Sequence, residues 1–198
     1  TYYAVPSLEP MPVANVSQGN TIENEFFRIT VDPAMGGGIV SLYDKTARRE
    51  LMQTENGVCT KPGNELIRLA EDPARKEPPW EIFTTGERFF SRDFRAEVEI
   101  QKGPLLSKLS IRGEVGDQTY TQAILLYQGV RRIEFMTELD EYNGVDEILS
   151  VAFPVDVKGL EPVFEERFGT LVKRKSKGYL DFQTWQWRNY SNCGARRA

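Results

Sequence analysis

Histidine is absent from all 198 residues. That excludes a Ser-His-Asp triad, a Cys-His pair and a histidine-rich zinc site within this chain. Cysteine is nearly absent too, and Cys59 and Cys193 stand at no metal or redox spacing; two free thiols are favoured over one disulfide. No calcium loop of alternating Asp and Asn occurs, so neither catalytic nor metal-ligating residues are expected here. Long apolar runs are missing as well: the stretch AILLY at 123–127 is far too short to span a bilayer, and no membrane partner is expected. Amphipathic helical periods are likewise missing, which removes the α/β nucleotide folds.

What is present is alternation. In FFRITVD, Phe27, Ile29 and Val31 fall on one face at a period of two. Ala96, Val98 and Ile100 alternate with Arg95, Glu97 and Glu99, and Leu109, Ile111, Gly113 and Val115 repeat the pattern. Ile133, Phe135, Thr137 and Leu139 do so again. ELIRLAE reads as a strand or a short helical turn, and WEIFTTG as a strand ending at Gly86. Strands separated by short turns such as Gly116-Asp117 and Asn143-Gly144 predict an all-β, antiparallel protein, a large sandwich rather than a small barrel. Residues 1–20, with three prolines and no period, read as a lead-in, and 21–198 as the sandwich domain.

The run VDPAMGGGIVSLYDK has the glycines of a phosphate loop but not its setting. A phosphate loop leads from a strand into a helix and ends in Gly-Lys-Ser/Thr. Gly36 to Gly38 lead from one strand into another, so a turn or bulge is expected.

Two further features invite function. Glu97 and Glu99 lie about 7 Å apart on one strand face, within the range for paired glycosidase carboxylates, but Arg95 and Gln101 beside them are what a solvated face carries. Charge is uneven: residues 1–166 hold 17 Lys+Arg against 28 Asp+Glu, a net of −11, whereas 167–198 hold 8 against Asp181 alone, a net of +7. The basic end also concentrates Tyr179, Phe182, Trp185, Trp187 and Tyr190. With no nucleic-acid motif and an acidic body, no nucleic-acid partner is expected. The aromatics are core, or a platform for a sugar ring, with Trp80, Trp185 and Trp187 as the candidates.

The order of motifs resembles the β-sandwich region that follows the catalytic domain in α-mannosidases of glycoside hydrolase family 38. The resemblance rests on Asn24, Phe26, Phe27, Gly38, Ile39, Ser41, Leu42, Asp44 and Lys45, then Phe153, Pro154, Phe168, Gly169 and Lys173-Arg174. It implies a mutarotase-like supersandwich, incomplete here, cut from a longer enzyme. It also implies a catalytic barrel N-terminal to this piece as partner, a mannose-containing glycan as substrate, and zinc in that barrel with no cofactor in the fragment. The fragment alone would be inactive, supporting the barrel and lining its sugar pocket, with Trp80 the nearest match to the family's pocket aromatic. A stand-alone carbohydrate-binding or interaction sandwich is the alternative. Residues 1–20 show no secretory pattern; a cytoplasmic setting is the weak expectation, and the compartment itself stays open.

Overall fold

The computed structural model describes residues 15–17, 19–74, 84–156, 163–166 and 169–172. Every regular element among them is a strand apart from two three-residue 3-10 turns, Pro33–Met35 and Ser91–Asp93. No helix there is long and apolar enough to cross a membrane.

Four antiparallel sheets form among the described residues. The largest joins β1 (Asn15–Ser17), β8 (Glu97–Lys102), β9 (Leu106–Val115), β10 (Gln118–Tyr127) and β11 (Ile133–Leu139), in that spatial order. Facing it is a sheet of β2 (Thr21–Glu23), β3 (Phe27–Asp32), β4 (Gly38–Asp44) and β5 (Arg49–Glu50). A third runs β12 (Glu147–Ala152), β6 (Glu65–Glu71), β7 (Thr84–Phe90). The hairpin β13 (Val163–Glu166) and β14 (Gly169–Val172) makes the fourth.

The alternation read from the sequence is the alternation of burial. Ile29, Val31, Leu109, Ile111 and Val115 are fully buried, and their odd-numbered spacing puts them all in the layer between the two large sheets. Ile22, Ile39, Ile124 and Leu126 belong to the same cluster. Each such side chain contributes about 1.5–3 kcal/mol by leaving water. Tyr120 lies opposite Gly113 in the β9–β10 register, where a Cβ would sit 2.6 Å from the phenol oxygen. The glycine read as part of the apolar face therefore makes room for a ring.

Several expectations change in detail. Asn15–Ser17 form β1, whose Val16 pairs with Gln101. ELIRLAE is a strand throughout. The strand expected to stop at Gly86 runs on to Phe90; Gly86, at φ +97°, sits inside it where the β6–β7 register shifts. Phe135 has the predicted parity, opposite Ile124, yet remains 37% exposed because β11 ends its sheet. It rests edge-on against Phe153 at 5.1 Å.

Candidate functional site

Three of the residues that carried the resemblance, Asn24, Asp44 and Lys45, gather where three turns meet. Asn24, buried in the β2–β3 turn, accepts from the backbone N–H of Phe26 (2.9 Å) and Phe27 (2.8 Å). Its Nδ2 donates to the carbonyl of Tyr127, the last residue of β10, at 2.8 Å and to that of Val130, in the turn that follows, at 3.3 Å. Asp44 closes the β4–β5 turn by accepting from Thr46 and Ala47 N–H, both at 2.9 Å, and takes a 2.8 Å bond from Arg131. Lys45 donates to the Asn24 carbonyl at 2.6 Å and pairs with Glu23 at 2.8 Å. Asn24 thus uses all four of its ordinary hydrogen-bonding positions on backbone.

Ser41 belongs to a second knot. Its hydroxyl donates to Glu50 Oε2 at 2.6 Å, while Glu50 Oε1 accepts from Leu42, Met52 and Leu51 N–H. Burial alone would raise the Glu50 carboxyl; these donors hold it below the usual carboxylate range. Asp44 is also held low, first by the Ala47 N–H against the cost of desolvation, then by Arg131 and Thr46. A depressed carboxyl stabilises the fold above its unfolded pKa, about 3.9, and that stability is lost as pH falls through the folded value. Asp44→Asn should therefore be clearly less stable than the parent at pH 6, with the gap closing by pH 3 in urea titrations. A gap that is the same at both pH values would show that Asp44 does not act through its charge.

The glycine run is the turn expected of it. Asp32 caps the 3-10 turn through Ala34 N–H, and Gly36 follows in the left-handed region at φ +64°. Gly36 N–H donates to Phe94 O at 2.9 Å, and Tyr120 Oη donates to Gly36 O at 2.8 Å. These backbone groups are occupied by the protein itself rather than offered to a phosphate.

Trp80, Trp185 and Trp187 lie outside the described residues, as do Cys193 and the basic run Lys173-Arg174-Lys175. Cys59 is half-buried and its thiol pKa is raised by burial. Arg131 and Arg132 are taken up by Asp44 and Glu134. Among the described residues no three His, Cys, Asp or Glu side chains gather to hold a metal.

Glu97 and Glu99 point outward from β8, as the sequence indicated, and the structure adds their neighbours. With Arg95, Ser110, Arg112 and Thr121 they line an open cleft of about 1010 Å³ across β8, β9 and β10, bounded by Asn20 and Pro33. Arg112 stands opposite both Glu97 and Thr121 in the register. Sequence reading stopped at the two carboxylates because Arg112 and Thr121 meet them only through strand pairing.

A second polar group was not foreseen. Glu65, 2% exposed, receives Arg92 Nη1 at 2.7 and 2.8 Å on its two oxygens, and the guanidinium lies over the Phe90 ring at 4.0 Å. Burial raises the Glu65 carboxyl despite the opposing pull of Arg92. Its only signal in the sequence was a glutamate at the start of an apolar strand.

The family model for the glycosyl hydrolases family 38 C-terminal domain matches residues 22–198. The chain belongs to this family. No curated protein matches the chain. As a family 38 C-terminal domain it is a glycoside hydrolase-associated, non-catalytic domain, and membership implies a catalytic domain N-terminal to it in the same polypeptide. In this family 38 domain, Asn24, Asp44 and Lys45 tie turn to turn.

Proposed function

We propose that this family 38 C-terminal domain is the sandwich of a retaining α-mannosidase acting on mannose-containing glycans. It braces the catalytic barrel and lends part of the wall of the sugar pocket, with Trp80, Trp185 and Trp187 as the side chains available to stack on a sugar. One observation carries the scaffold role. Asn24, Ser41, Asp44 and Lys45 spend their polar groups on backbone and neighbouring turns, so the motif residues serve architecture rather than chemistry. Rigid placement of a few contact residues on such a frame is what a pocket built from two domains requires.

Zinc, which the resemblance implies for the parent enzyme, would be held by the catalytic domain. Histidine, an ordinary zinc ligand, is missing from the sequence of this chain, and that supports placing the ion in the other domain. What this chain supplies is position and shape.

The test is hydrolysis of p-nitrophenyl α-mannoside with added zinc, measured on this chain and on the parent polypeptide carrying its catalytic domain. The expected result is turnover by the parent only, and turnover by this chain would overturn the non-catalytic role and turn attention to Glu97 and Glu99. Silence from a folded, zinc-loaded parent would sink the mannosidase reading.

A further inference from the structure

The cleft on the outer face of the five-stranded sheet contains polar groups that the fold does not use. Among the described residues, Arg95 and Glu97 form no side-chain hydrogen bond or ion pair, Glu99 accepts only from Gln101 at 3.3 Å, and Arg112 reaches Asp140 only at 3.8 Å. The groups of the turn cluster, by contrast, are consumed within the protein. Unspent donors and acceptors around one concavity are the feature that sets this face apart from an ordinary solvated sheet.

Their chemistry selects a ligand class. Two guanidinium groups and two carboxylates cancel in formal charge, so the cleft favours neither an anion nor a cation. A carboxylate accepts from two neighbouring hydroxyls, and a guanidinium donates to two neighbouring oxygens, which suits the vicinal diols of a pyranose. Ser110 and Thr121 are short enough to let a ring approach the sheet between those charged groups. The strand register fixes the spacing: Glu97, Arg112 and Thr121 fall on one line across β8, β9 and β10, and Glu99 and Ser110 on the next. Placement on three consecutive strands spares most of the entropic cost of ordering a binding loop. At about 1010 Å³ the cleft reaches the upper end of the roughly 300–1,000 Å³ usual for small-molecule sites, which leaves room for more than one ring.

We propose that this cleft is a second carbohydrate-binding surface, taking a neutral oligosaccharide and separate from any pocket wall shared with the catalytic domain. The choice of a glycan over another polyol rests on family membership. The proposal does not require the pocket-wall role.

The experiment is a titration of the 198-residue chain with α-linked mannotriose, followed by amide chemical shifts, with inorganic phosphate and calcium chloride as separate probes. Shifts should concentrate at residues 95–99, 110–112 and 121, with a Kd on the order of 1 mM. Glu97→Gln combined with Arg112→Ala should weaken binding at least tenfold at an unchanged melting temperature. Thr121→Trp, which fills the cleft from a different strand, should abolish it. The proposal is overturned if mannotriose moves no amides in the cleft, if both variants bind like the parent, or if phosphate or calcium alone produces the response. Binding that persists while the parent enzyme proves inactive on mannosides would refute the mannosidase reading and leave this one standing. The reverse pattern would do the opposite.

Discussion

Gly36→Ala should lower the melting temperature of this domain by about 8–16 °C, and Gly57→Ala by only a few degrees. Both glycines occupy the left-handed region, at φ +64° and +80°, where a Cβ costs roughly 1–2 kcal/mol. They differ in what surrounds them. A Cβ on Gly57 would meet nothing within 4 Å, whereas one on Gly36 would sit 2.2 Å from the carbonyl oxygen of Ser91. That oxygen is backbone, so no side chain can swing aside. Relief needs the turn to move, and the turn is fastened by the Phe94 and Tyr120 bonds to Gly36. Losing those and the close packing brings the cost to about 4 kcal/mol, and a domain of this size loses roughly 2–4 °C per kcal/mol. Melting followed by circular dichroism decides it. Equal shifts for the two variants would mean that backbone angle alone, not the approach to Ser91, explains the glycine.

Arg92→Met should destabilise the domain by about 3–5 kcal/mol at pH 8, because it strands the buried Glu65 carboxylate without its partner. The loss should shrink toward acid. Glu65 already has a raised pKa from burial, and removing the arginine raises it further. A carboxyl with a folded pKa above its unfolded value favours the protonated fold. Relative stability is therefore fully present below the unfolded pKa, about 4.3, and is lost as pH rises through the folded one. Urea midpoints at pH 5 and pH 8 should diverge for Arg92→Met far more than for the parent. Adding Glu65→Gln should restore most of the loss at pH 8, since the buried charge is then gone. A variant with the same deficit at both pH values, unrelieved by Glu65→Gln, would show that Arg92 matters for its packing on Phe90 and not for its charge.

What the sequence determined by itself was whatever depends on residues next to one another. Alternation at a period of two is written into Leu109, Ile111, Gly113 and Val115 because side-chain direction flips at each residue of a strand. The nature of the glycine run was legible for the same reason: a strand lay on either side of it. The order of local motifs was enough to point to the family.

Tertiary structure decided the partners. Asn24 reaches Tyr127 across 103 residues of chain, and Asp44 meets Arg131 across 87. Glu65 finds Arg92 only because Ser91–Asp93 folds against β6, and the polar mosaic around Glu97 exists only once β8, β9 and β10 are in register. Hydrogen bonds of this kind leave no period in the sequence. They depend on where separate turns land in space, and burial in the folded core sets their worth. A buried glutamate and a solvated one are the same letter until the chain closes around one of them.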